Sequence, residues 1–318
     1  MPDNGIIDVH AHFTTPRYTA AAKAAGHRRP DGMPEEYWPL WSPAQHLELM
    51  DRAGISRSLL SLSSPGPALG GEGRRVAREA NEAAAEAVRD HPDRFGLLAC
   101  LPLPDTEAAL DEISHAYDHL PVSGVVLLTN AGGRYFADPA FDDVLRELSR
   151  RKAVVLLHPT SCQGHESLAV GRPRPMVEFL FDTARAVVDY VLSGGVQRFP
   201  GLRLIVPHAG GVLPLLAERV ELFRSIAGEP PERTTVTEDL RSFYYDLAGT
   251  PDATQLAALA AVSSPEHLLY GSDYAWTRLE AVLAALDRLD AAWTTQYPGP
   301  WRERTTRNAR ALLDGDSA

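Results

Sequence analysis

Short apolar runs rich in β-branched residues alternate along this chain with longer segments whose apolar positions recur every three or four residues. The first pattern suits a strand buried on both faces, the second a helix with one apolar stripe. Eight runs read as strands, at residues 5–10, 56–62, 94–102, 122–128, 152–158, 202–207, 243–247 and 267–271. Helical periodicity falls between them at 42–54, 74–91, 105–119, 138–150, 176–197, 213–227 and 252–262, and after the last strand at 277–291. Ser42-Pro43 and Asp138-Pro139 are start signals, a side-chain cap followed by a proline in the first turn.

Eight strands each followed by a helix predict an α/β fold, a closed (β/α)8 TIM barrel. A doubly wound open sheet is the alternative, but its glycine-rich GxGxxG turn is missing after the first strand. No linker, repeat or low-complexity segment divides the chain, so residues 1–318 read as a single domain. Loop insertions stand at about 13–41 and 163–175, and loops of that length usually shape a site. A barrel places both on its C-terminal face.

Charge narrows the choice of partner. A formal net charge of -11 argues against nucleic acid, whose phosphates require clustered Lys and Arg. It does not exclude a small anionic substrate, because a local cation can dominate the field inside a pocket. Cys100 and Cys162 are too few for a disulfide framework, and Cys100 lies in a strand-like run; a reducing cytoplasm fits. The start of the chain carries no basic-then-apolar signal, and no apolar stretch approaches ~18 residues, so secretion and membrane insertion are not expected.

The first strand reads Ile6-Ile7-Asp8-Val9-His10-Ala11-His12, and side chains at i and i+2 of a strand share a face. His10 and His12 therefore project together, while Val9 and Ala11 face the surrounding helices. Such a pair alone is weak, because most pairs of this kind are simply surface or core histidines. Its weight comes from the other strand exits: His158 ends the fifth run, His208 ends the sixth, and Asp273 follows the eighth. In a (β/α) barrel those exits converge on the end where active sites are built.

These residues give the chain a resemblance to the amidohydrolase superfamily, in its branch of decarboxylases related to aminocarboxymuconate-semialdehyde decarboxylase. The likeness runs from Asp8-Val9-His10-Ala11-His12-Phe13 to Gly271-Ser272-Asp273-Tyr274 and includes Pro207-His208-Ala209-Gly210-Gly211. It implies that His10, His12, His158 and Asp273 ligate a metal and that His208 and Asp273 are catalytic. Two-metal members bridge their ions with a carboxylated lysine at the end of the fourth strand, but that strand ends Leu127-Leu128-Thr129-Asn130, and Lys23 and Lys152 are the chain's only lysines. One divalent ion follows. Three nitrogens and a carboxylate suit Zn2+, and Mn2+ serves some relatives.

Two reactions fit one metal, a nearby His and an Asp: hydrolysis of a lactone or amide by a metal-activated water, and non-oxidative decarboxylation. Gly32-Met33-Pro34, Trp41-Ser42-Pro43, Met50-Asp51-Arg52-Ala53-Gly54-Ile55, Ser61-Leu62-Ser63-Ser64-Pro65-Gly66 and Tyr244-Tyr245-Asp246-Leu247-Ala248-Gly249 resemble 6-methylsalicylate decarboxylases. That likeness favours decarboxylation of a hydroxybenzoate-like or related unsaturated acid. Some benzoate decarboxylases of the branch carry Glu-x-His on the first strand where this chain has His-x-His. A non-catalytic metal-binding barrel is the third reading, since fold never proves function. Family members commonly dimerise, and the exterior helices offer a homodimer an interface.

Arg74, Arg134, Arg172 and Arg174 are near strand-exit loops and are candidates to pair with a carboxylate, with surface solvation as the ordinary role. Phe13, Tyr18, Trp38, Trp41, Tyr245 and Trp276 are candidates for an aromatic wall, with simple packing as the ordinary role. His46, His91, His115, His119 and His267 read as structural or solvated, and the long-loop residues His27 and His165 are left open.

Overall fold

A computed structural model of the chain describes residues 5–227, 234–249, 251–293, 297 and 299–315. Eight parallel strands form one sheet in chain order: β1 Ile6–His12, β2 Ile55–Ser61, β3 Phe95–Cys100, β4 Val122–Leu128, β5 Val154–His158, β6 Arg203–Val206, β7 Tyr244–Asp246 and β8 Leu268–Leu269. Just past β8, Tyr270 bridges to Asp8 in parallel and its carbonyl oxygen accepts from Val9 N at 2.9 Å. The sheet thus meets itself as a (β/α)8 barrel, each predicted run of strand realised within a few residues.

Register positions the site. Ala11 lies opposite Leu60 and His12 opposite Ser61, so the exit of β1 is level with the exit of β2. Leu128 lies opposite His158, which sets β4 and β5 level in the same way. Val9, Leu59, Leu97, Val125, Val155, Ile205 and Leu268 are fully buried, and alanines on the helix Gly73–Asp90 let its backbone approach β3 closely.

The expected helices form with three adjustments. Ser42 caps Pro43–Ala53 by accepting from Gln45 N, but Asp138 caps a 3-10 turn, Pro139–Phe141, and the α-helix begins at Asp142. The predicted helix over 176–197 breaks after Glu178–Leu192 at Gly194, whose φ of 73° ends the regular turn, and resumes briefly at Gly195–Arg198. Four α-helices among the described residues were not anticipated: Pro16–Ala24 inside the first insertion, the single turn His165–Leu168 inside the second, Val236–Arg241 before β7, and Trp301–Asp314. The last packs against β1 and β8, and Asn308 Nδ2 donates to the carbonyls of Pro265 and Leu268, both at 2.9 Å. No helix among the described residues is long and apolar enough to cross a membrane.

Candidate metal centre

The pleat of β1 turns His10 and His12 toward the barrel's open end, with their Nε2 atoms 3.0 Å apart. His158 arrives from the last residue of β5, and Asp273 from the turn after β8, where a φ of 57° swings its carboxylate inward. Asp273 Oδ1 is 3.2 Å from His12 Nε2 and 3.8 Å from His10 Nε2. One ligand atom from each of the four lies within 4.8 Å of every other. The sequence-predicted set is brought together.

Hydrogen bonds behind the rings decide which nitrogen faces the centre. His10 Nδ1 meets the Asp246 carboxylate at 2.9 Å, and His158 Nδ1 meets the Pro159 carbonyl oxygen at 2.7 Å. Both partners only accept, so both Nδ1 atoms carry the proton. Ser61 Oγ directs its single proton to the Ala11 carbonyl at 3.0 Å, so His12 Nδ1, 2.9 Å from Ser61 Oγ, is again the donor. All three Nε2 atoms consequently turn to one place, two of them only 3.0 Å apart. Nitrogens so close need a proton or a metal ion between them, and such outer partners are the usual support of metal-bound histidine. The donor set fits a divalent ion.

The electrostatics of the bare site make the same demand. Burial works against a charged His10, but attraction from Asp246, Asp273 and Asp8 outweighs it and raises the ring to about 9. Burial, helped by neighbouring imidazoles, lowers His12 and drops His158 well below its ordinary value. Burial alone would raise Asp273, yet His12, with Nε2 3.2 Å from Oδ1, and the charges of the surrounding rings hold it below the usual carboxylate range. In the metal-free chain the pocket takes its positive charge as a second proton on His10, the place a metal ion would claim.

His208 stands in the turn after β6, the 3-10 segment His208–Gly210, with Nε2 3.9 Å from Asp273 Oδ2. It lies outside the four-ligand set. Its Nδ1 is buried without a hydrogen-bond partner, while its carbonyl oxygen accepts from Gln255 Nε2 at 3.1 Å. His158, His208 and Asp273 open onto a cavity of about 390 Å³. Met33, Tyr37, Met176, Phe179, Leu180 and Trp276 give it apolar walls, and Ser63, Ser64 and Gln255 add polar points. Both predicted insertions border this end of the barrel: Pro30, Asp31, Met33 and Tyr37 come from the first, and Pro175 from the second. A larger cavity of about 430 Å³ lies alongside, sharing Asp31 as a wall, but none of the four ligands nor His208 lines it.

Most secondary candidates take ordinary roles. Of the six proposed wall aromatics, Trp276 alone lines the 390 Å³ cavity; Phe13 packs on Trp41, Tyr18 on Trp38, and the buried Tyr245 hydroxyl donates to the Leu240 carbonyl. Arg74 pairs with exposed Asp111, Arg134 approaches Asp138, and Arg172 is exposed. Arg174 donates from Nε to Ser161 Oγ and, with His27 and His165, lines the larger cavity instead. His46 accepts from Trp41 Nε1, and burial pushes its pKa down to about 3. Ser61 and Asp246 escaped the sequence reading, although both occupy strand exits, the criterion that singled out the candidate ligands.

Residues 7–315 match the family model described as Amidohydrolase. The chain is 36% identical over 282 residues to the 6-methylsalicylic acid decarboxylase of Aspergillus aculeatus, covering 84% of this chain and 83% of that protein. A crystal structure described as amidohydrolase II superposes with a TM-score of 0.87 at 30% identity, covering 97% of this chain and 99% of the other. The 5-carboxyvanillate decarboxylase of Novosphingobium aromaticivorans, solved with manganese and 4-hydroxy-3-methoxy-5-nitrobenzoic acid, gives 0.84 at 22% identity over 98% and 96% of the two chains, a likeness of fold.

Proposed function

We propose, from the premise that the chain belongs to the amidohydrolase family, that it is a metal-dependent carboxy-lyase removing carbon dioxide non-oxidatively from a hydroxybenzoate of the 6-methylsalicylate kind. The observation that carries this reading is the opening of the ligand set onto an apolar-walled cavity of about 390 Å³, near the lower end of the usual range for small-ligand sites and ample for one substituted ring. Identity of 36% to a 6-methylsalicylic acid decarboxylase supports it.

His10, His12, His158 and Asp273 would hold the ion, and three nitrogens with one carboxylate favour Zn2+, with Mn2+ as the other choice. A bound ion would supply the positive charge that draws in an anionic substrate. Phe179, Leu180, Met176 and Trp276 hold the ring and exclude water. Asp273, exposed to the cavity and resting as a carboxylate, first takes a proton from the neighbouring His208 and delivers it to the carboxyl-bearing carbon. The bond from that carbon to the carboxylate then breaks, its electron pair returns to the ring, and carbon dioxide leaves. His208, beside Asp273, orients the carboxylate and passes it the next proton.

The whole chain acts as one domain, a reading supported by the return of Trp301–Asp314 onto β1 and β8. A net charge of -11 supports a small-molecule rather than a nucleic-acid partner, and two unpaired cysteines support a cytoplasmic setting. Exposed Leu215, Leu222, Phe223 and Ile226 on one helix, with Phe181 on another, support a homodimer.

Incubating metal-loaded protein with a panel of hydroxybenzoates and lactones, with products read by mass, tests the reaction. Loss of carbon dioxide from a hydroxybenzoate is the expected result. Gain of water by a lactone, with no gas released from any acid, overturns the decarboxylase reading in favour of hydrolysis.

A further inference from the structure

β7 ends on Asp246, a wholly buried carboxylate whose hydrogen bonds reach two separate parts of the site. Oδ2 accepts from His10 Nδ1 at 2.9 Å, and Oδ1 accepts from the backbone N–H of His208 and of Ala248, both at 3.0 Å. Asp246 lines neither cavity, so it acts on bound molecules only through the groups it holds. His10 also differs from its fellow ligands: its Nδ1 faces a charged oxygen, whereas His12 and His158 face a hydroxyl and a carbonyl.

We propose that Asp246 is a positioning residue with two linked tasks: it fixes the His10 tautomer that leaves Nε2 bare for a metal ion, and it pins the turn that aims the His208 ring. A carboxylate has no proton to offer, so the His10 proton is held at Nδ1. The second task follows from the backbone. His208 and Ala209 are consecutive non-glycine residues with φ of 56° and 52°, a region side chains avoid unless the surroundings impose it. The acceptor for His208 N–H is Asp246 Oδ1. On the far side the ring rests over Gly249, where an added Cβ would lie 3.4 Å from His208 Cδ2.

This inference rests on the metal-site half of the proposed function and not on its substrate. Asp246→Asn separates the two tasks. The two backbone donors keep the amide oxygen, so the amide NH2 must face His10 Nδ1, which then has to accept; the ring proton moves to Nε2, where the ion would sit. Zinc affinity, read by competition with a chromogenic chelator, is expected to fall about 10- to 100-fold, with the circular dichroism spectrum and Tm of the chelated protein unchanged. Wild-type affinity in the Asn variant overturns the first task. Asp246→Ala removes both acceptors, and amide hydrogen exchange at His208 should speed up there but not in the Asn variant. Equal protection in wild type and Ala variant overturns the second task. Should either variant fail to fold, zinc-loaded wild type decides: it should show a deshielded His10 Nδ1 proton and a slowly exchanging His208 amide, and absence of either overturns the corresponding task. No readout uses turnover, so a chain that binds zinc without decarboxylating any acid leaves the inference standing.

Discussion

Asp8 and Ser272, 264 positions apart in sequence, are joined by two hydrogen bonds where the barrel closes: Ser272 N to Oδ1 at 3.0 Å and Ser272 Oγ to Oδ2 at 2.6 Å. Ser58 Oγ and His10 N complete the shell around this buried carboxylate. Burial still prevails over those donors and raises Asp8 to about 6. An unfolded Asp titrates near 3.9, so folding of the metal-free chain takes up a proton between the two values. That contribution to stability is complete below about pH 4 and is lost as the pH rises through about 6. In chelator-treated protein the Tm advantage of Asp8→Asn over wild type should therefore grow between about pH 4 and about pH 7 and level off above, by no more than the equivalent of about 3 kcal/mol in all. A difference independent of pH contradicts this account.

Removing one ligand from a four-residue site should weaken metal retention sharply. His10→Ala and His12→Ala are expected to lose bound metal and activity together, measured by elemental analysis after dialysis against a weak chelator. Stoichiometry and affinity equal to wild type in both variants would dismiss the assigned centre.

His208→Ala should behave differently, because its Nε2 lies near Asp273 but outside the ligand set. Metal content is expected to stay close to wild type while turnover drops by about 100- to 10,000-fold, the usual contribution of a proton-handling group. Turnover within about threefold of wild type, less than any such contribution, reduces His208 to a structural residue.

Asp273 combines two roles that substitution can divide. Asp273→Asn keeps an oxygen able to ligate weakly but has no acidic proton, so metal added in excess should restore occupancy without restoring decarboxylation. Wild type run in deuterated water should place one deuterium on the carbon that carried the carboxyl group. Near-normal turnover in the remetallated variant, or product without deuterium at that carbon, assigns the donor elsewhere.

The barrel was legible because each strand is buried on both faces and so reads as an apolar run between helical stretches. The helix Trp301–Asp314 was not, because its buried face is made of Trp301, Thr305, Thr306, Asn308, Ala309 and Leu312, half of them polar. Val236–Arg241 did carry a signal, Thr235 and Glu238 in a capping box, too short to stand out without its context. His10, His12, His158, His208 and Asp273 stood out as candidates because ionisable side chains at strand exits are conspicuous, and the fold brings the first three and Asp273 together. Asp246 has that placement as well, yet a single Asp between Tyr245 and Leu247 gives no hint that its oxygens reach both His10 and His208. The Pro159 carbonyl is backbone and leaves no trace in side-chain chemistry.

The seam between the first and last strands also sets an order of events during synthesis. β1 emerges from the ribosome early and gains β2 on one edge, but its other edge has no partner until Tyr270 and the helix Trp301–Asp314 have been made. An unpaired strand edge is the kind of surface that recruits another chain. His10 and His12 wait for the synthesis of all the other strands before Asp273, whose carboxylate completes the candidate set, is made. The four-donor set is thereby tied to synthesis of the last strand and the turn after it: a product cut short before residue 273 carries three of the four candidate donors and an open β1 edge.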